Sequence, residues 1–136
     1  MSVVADCSLL LAAYDKGATQ HERAVAWLTR TDEELVLTPL AVAELEVAVR
    51  DGGGARAQAK VWHDLEVGAY TTRWWADALA ESLRIARAHP ALGLTNASLV
   101  ALAERLRTTR IATFNPDFRT VKTTSGDELV LLPDDA

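Results

Sequence analysis

The chain has 136 residues, 19 acidic and 14 basic, with a formal net charge of −5 and a hydrophobic content of 49%. That is the size of one domain, spanning residues 1–136, which can bury roughly two thirds of its unfolded surface without a disulfide or structural metal. Net acidity argues against coating nucleic acid through bulk charge, and the lone Cys7 excludes an internal disulfide and points to a reducing cytoplasm.

Residues 3–5 predict a short strand that stops at Asp6, and residues 8–16 a helix closed by Gly17. An acid inside this first apolar run, with no basic leader before it, does not suit a secretory signal. A second helix is expected over about 20–29, where Ala24, Trp27 and Leu28 stand at helical spacing, followed by a β-like run at 35–37. Thr38 as N-cap and Pro39 as first helical residue open a helix through Arg50, which the glycines 52–54 end. Residues 55–66 read as helix, 69–72 as a short strand, and 74–89 as a long amphipathic helix stopped by Pro90. Thr95 is expected to cap a helix reaching about Arg107, and the β-like run 111–114, a turn at Asn115 and Pro116, and the apolar run 129–132 complete the chain. The longest uncharged stretch, 88–103, is interrupted by His89, Pro90 and Gly93 and falls short of the roughly 20 apolar residues of a membrane span. Strands alternating with helices predict an α/β fold, a parallel sheet with helices on both faces.

Ligands of such sheets bind beyond the carboxyl ends of the strands, so acids placed just after strands are the ones to weigh. Asp6 and Asp117 are two, although Asp is equally ordinary as a cap or loop residue. Glu44 is more telling, because its helical neighbours are Leu40, Val47 and Ala48, and a carboxylate within an apolar stripe loses hydration that only a cation, a proton or a donor cluster can replace. Glu46 faces elsewhere and can pair with Arg50 one turn on. Asn96 repeats the anomaly on the later helix, on the face shared with Leu99, Val100 and Ala103; a helix-start Asn bonding local backbone is the alternative. Ser8 can orient Asp6 or cap its helix. Oxygen donors without a Cys or His pair suit Mg²⁺ or Mn²⁺ rather than zinc, and His21, His63 and His89 receive no role. Residues 104–122 carry Arg105, Arg107, Arg110, Arg119 and Lys122 against Glu104 and Asp117, either a solvated face or a rim for phosphates. The tryptophans 27, 62, 74 and 75 suit a core or interface better than base stacking.

The segments Val3-Val4-Ala5-Asp6-Cys7-Ser8, Thr38-Pro39-Leu40-Ala41-Val42-Ala43-Glu44, Gly93 to Ala103 around Asn96, and Ile111-Ala112-Thr113-Phe114-Asn115-Pro116-Asp117-Phe118 resemble, in order, the four motifs of PIN-domain ribonucleases. More narrowly they resemble the VapC toxins of bacterial toxin–antitoxin pairs. The resemblance covers essentially the whole chain. It implies a three-layer α/β/α fold, a Mg²⁺- or Mn²⁺-dependent endoribonuclease, a homodimer, and a VapB-like antitoxin whose tail blocks the site. By position, Asp6 and Glu44 match the first two family acids, Asn96 stands where the family normally has Asp, and Asp117 must serve as the fourth because Asn115 follows the last motif's Thr113 strand. Asn96 therefore implies a weak or inactive nuclease. Arg105, Arg110 and Arg119 would contact the RNA backbone. Two rival readings stand beside this one: a non-catalytic PIN-like binding module, favoured by Asn96 and Asn115, and a phosphatase with Asp6 as nucleophile, which would normally carry Asp where Ser8 stands.

Overall fold

The apolar runs of the sequence become adjacent strands of one parallel sheet. The computed structural model describes residues 1–136, with strands β1 (Ser2–Ala5), β2 (Glu34–Leu37), β3 (Thr71–Thr72), β4 (Arg110–Ala112) and β5 (Val130–Leu132) in the order β3-β2-β1-β4-β5. All four pairings are parallel, with Val4 opposite both Val36 and Ile111, and Ala112 opposite Leu132. Val3, Val4, Val36, Leu37, Ile111 and Ala112 are fully buried, as expected of strands covered on both faces.

Five helices cover the sheet: α1 (Cys7–Tyr14), α2 (His21–Arg30), α3 (Pro39–Glu66), α4 (Ala78–Ala88) and α5 (Gly93–Leu106). The chain steps from β1 outward to β2 and β3, then returns to add β4 and β5 on the other side of β1. Right-handed crossovers place α1, α2 and α3 on one face and α4 and α5 on the other, consistent with α1 packing on α2 and α3, and α4 on α5. The result is the expected three-layer α/β/α arrangement. Because the strand order reverses at β1, the crevice beyond the ends of β1 and β4 is the sheet's switch point, where ligands of such folds bind. No helix is long and apolar enough to cross a membrane.

The expected break at the glycines 52–54 is observed: α3 consists of two helical stretches separated at Gly54, whose φ of 74° and ψ of −166° are non-helical, and the second stretch reaches Glu66. Beyond that break the chain turns back far enough for the Trp62 indole N–H to reach Glu46 at 2.8 Å. This backbone conformation is essentially restricted to glycine, so Gly54→Ala is expected to destabilise the fold by about 1–3 kcal/mol in urea unfolding. The fourth helix begins at Ala78 rather than Trp74, where Trp74 and Trp75 instead stack as a tilted pair with ring centroids 5.9 Å apart. Thr95 does not cap α5, which starts earlier at Gly93; its carbonyl accepts the Ser98 hydroxyl at 2.6 Å.

Candidate functional site

Three residues leave adjacent strands at one edge of the sheet: Asp6 after β1, Thr38 after β2 and Thr113 after β4. All three are polar and all are buried. Asp6 and Thr38 are there partly for local reasons, since each N-caps the helix that follows. Asp6 Oδ1 accepts the Leu9 N–H at 3.2 Å, and the Thr38 hydroxyl oxygen accepts the Ala41 N–H at 3.3 Å. Thr38 and Ser98 also share a 2.8 Å hydrogen bond, which ties the start of α3 to the first turns of α5.

Asp6 is held by more than a cap requires. The Ser8 hydroxyl donates to its Oδ1 at 2.7 Å and the Thr113 hydroxyl to its Oδ2 at 2.6 Å. Each hydroxyl in turn accepts a backbone N–H, Ser8 from Phe114 at 3.0 Å and Thr113 from Asn115 at 2.8 Å. The amides occupy an acceptor site on each hydroxyl, which leaves each hydroxyl proton available for Asp6, the nearer partner of each; the two hydroxyls also lie 3.3 Å apart. Burial pushes the Asp6 carboxyl above its ordinary range, while the Thr113, Ser8 and Leu9 donors oppose that rise. No Lys, Arg or His forms an ion pair with it. A buried carboxylate is thus prepared for negative charge and left without a counter-charge.

Glu44 lies nearby, but not where a buried apolar stripe would put it. The buried row of α3 is Ala41, Leu45 and Val49, whereas Glu44 is exposed on its flank beside the equally exposed Val47. Its charge still reaches the crevice. The Cys7 thiol is pushed up to about 12 by burial first, then by Glu44 and Asp6, so Cys7 is a protonated, nearly buried packing residue and no nucleophile. Glu46 does not pair with Arg50 across one turn. It accepts from Trp62 and, at 3.3 Å, from Gln58, and these donors hold its carboxyl below the ordinary range.

Asn96 is half-buried in the first turn of α5, two residues before the Ser98 that bonds Thr38. Asn115 caps the short 3₁₀ turn Pro116–Thr120 by accepting the Asp117 N–H at 2.9 Å, leaving the Asp117 side chain exposed on that turn. Asp6, Glu44 and Asp117 do not close into one cage, because no three Asp, Glu, His or Cys side chains gather at metal-binding range. The donors at the crevice are nevertheless all oxygens, and the uncompensated Asp6 carboxylate is the chemistry a hard divalent cation satisfies.

The structure separates the three arginines expected at the RNA backbone. Arg110 begins β4, so it lies at the opposite edge of the sheet from Asp6, and its Nε donates to Glu33 at 3.1 Å within an ion pair. Arg105 lies nine residues beyond Asn96, about 13 Å along the helix axis, over the Trp75 ring at 5.6 Å. Arg119 alone stays near the crevice, on the 3₁₀ turn that follows β4. Sequence reasoning missed Arg23, whose guanidinium sits 5.4 Å from the centre of the Phe114 ring. Nothing in the α2 segment signals that contact, because it joins parts of the chain far apart in sequence.

The PIN-domain family profile matches residues 3–123. Ribonuclease VapC26 of Mycobacterium tuberculosis (strain ATCC 25618 / H37Rv) is 27% identical over 135 residues, covering 96% of this chain and 100% of that protein. Among solved structures, Mycobacterium tuberculosis VapC20, described as a Sarcin-Ricin loop cleaving toxin, superposes with a TM-score of 0.77 at 15% identity, over 85% of this chain and 92% of its own. FitAcB from Neisseria gonorrhoeae gives a TM-score of 0.57 at 20% identity, over 85% and 88% respectively. With its profile match spanning nearly all the strands and every residue of the switch-point crevice, the chain belongs to the PIN-domain family and is VapC-like.

Proposed function

We propose that this chain, as one PIN-like domain over residues 1–136, is a divalent-metal-dependent endoribonuclease and the toxin of a toxin–antitoxin pair. The observation that carries the reading is the buried Asp6 carboxylate at the switch point, fixed by two hydroxyl donors and lacking any cationic partner. The likeness to Ribonuclease VapC26 supports RNA as substrate. In this reading Asp6 and Glu44 would hold Mg²⁺ or Mn²⁺, with the Asn96 amide oxygen in the place of a third carboxylate and Asp117 as the fourth group. When bound, such an ion activates water and stabilises the departing 3′ oxygen of the scissile phosphodiester.

The chain's own residues supply orientation and charge. Ser8 and Thr113 hold both Asp6 oxygens in place and oppose the rise that burial imposes on its carboxyl. Asn115 shapes the turn that carries Asp117. Cys7, protonated and nearly buried, offers no thiolate nucleophile. In this reading water attacks the phosphodiester, and the products carry 5′-phosphate and 3′-hydroxyl ends. A VapB-like antitoxin, a homodimer and a cytoplasmic setting complete the proposal.

Titration calorimetry with Mn²⁺ tests the site. The chain is expected to bind the ion and to lose that heat on Glu44→Ala. Silence from both the unsubstituted chain and the Asn96→Asp variant would favour the second reading, a non-catalytic PIN-like module acting through its dimer or antitoxin surface. Asn96 is the observation behind that alternative.

A further inference from the structure

We propose that Arg23 and Arg119 form a clamp for two neighbouring phosphates of an RNA strand, and that the chain's own Asp134-Asp135 segment occupies this clamp as an internal competitor. The proposal rests on the ribonuclease reading above. Asp135 takes the Arg119 guanidinium in a two-pronged pair, with bonds of 2.6 and 2.7 Å. Asp134 forms an ion pair with Arg23. The Arg119–Asp135 fork has the geometry that Arg uses on a phosphate, and Asp134 places a second acidic group on Arg23 one residue away along the chain.

Position makes the clamp relevant to the crevice. Leu132 is the last residue of β5 and its carbonyl accepts the Thr113 N–H at 2.9 Å, so the chain leaves the sheet at the edge where Asp6 lies. Arg23 packs over Phe114, whose N–H donates to Ser8, and Ser8 in turn donates to Asp6. The side chains of Arg23, Arg119 and Asp134 are 49%, 47% and 46% exposed, so an RNA phosphate can reach both guanidiniums without unfolding anything. The segment is also anchored rather than loose: the Leu131 N–H donates to Asp135 Oδ2 at 2.8 Å and the Asp135 N–H to the Leu131 carbonyl at 2.7 Å. Occupied in this way, the two arginines are neutralised and offer no net positive charge to an approaching strand.

Fluorescence anisotropy with a labelled single-stranded oligouridylate in EDTA, read over a range of salt, tests the clamp without cleavage. The combined Asp134→Asn and Asp135→Asn variant is expected to bind roughly 3- to 30-fold tighter at low salt, the range that two exposed ion pairs can hold back. Its log–log salt slope should steepen by about 1.4, as for two more phosphates on a single strand. Adding Arg23→Gln and Arg119→Gln should abolish the gain. Asp134→Asn alone keeps the Leu131 anchor and should give about half the change in slope, which serves if the double variant is unstable. Unchanged affinity, or a gain that survives loss of both arginines, would each overturn the clamp. Cleavage by the Asn96→Asp variant with no tail effect overturns the clamp alone, whereas no RNA binding and no cleavage by any variant overturns both readings.

Discussion

Replacing Asn96 by Asp is expected to raise Mg²⁺-dependent RNA cleavage by about 10- to 100-fold, the range commonly seen when a residue supporting a metal centre is changed. The side chain keeps its shape and its half-buried place in the first turn of α5, so the change is one of charge. The same charge has the opposite effect without a cation. A third carboxylate near the buried Asp6 and the Glu44 charge adds repulsion that nothing in the chain offsets, since no basic side chain pairs with Asp6. The melting temperature of Asn96→Asp should therefore fall below that of the unsubstituted chain in EDTA and rise above it in Mn²⁺. Equal cleavage by the two chains, or shifts of the same sign in both solutions, would refute the assignment of Asn96 to the metal shell.

What could be read in advance was what short-range chemistry determines. Asp6 and Thr38-Pro39 announce themselves because a strand end and a helix N-terminus meet within two or three residues, and both do cap helices. Glu44 was found for an incomplete reason. Counting helical neighbours places it beside Leu40, Val47 and Ala48, but which row of α3 faces inward is decided by packing against α1 and α5, and that row is Ala41, Leu45 and Val49. The glycines 52–54 mark a real break, at Gly54, but that the second stretch folds back until Trp62 and Gln58 reach Glu46, sixteen and twelve residues away, is not legible in the sequence. Arg110 looked like part of a basic rim from its spacing alone. Its partner Glu33 lies 77 residues earlier, where no periodicity could reveal it. The same holds for Arg23 and Asp134, 111 residues apart.

Thr113→Val tests the relay that makes Asp6 a ligand, and stability rather than turnover is its primary readout. The substitution preserves volume at a buried position while deleting the donor to Asp6 Oδ2 and the acceptor of the Asn115 N–H. A hydrogen bond to a charged group is worth about 1.5–3 kcal/mol, so urea unfolding at neutral pH should show a loss of that order. Its dependence on pH has a definite sign. Burial already holds the Asp6 carboxyl above its unfolded value, so the folded chain binds that proton more tightly than the unfolded chain. Stability therefore falls as pH rises from the ordinary carboxylate range through the Asp6 titration. Thr113 donates to the ionised form and limits that fall. Without it the carboxyl rises further, so the deficit of Thr113→Val is full above the Asp6 titration and closes as pH drops below it. Thr113→Ser retains the hydroxyl and should remain close to the unsubstituted chain at every pH. A deficit in Thr113→Val that does not change across the Asp6 titration, located in the same experiment from the pH dependence of the unsubstituted chain, would mean that Thr113 serves packing alone, and that Asp6 does not depend on the relay for its charge.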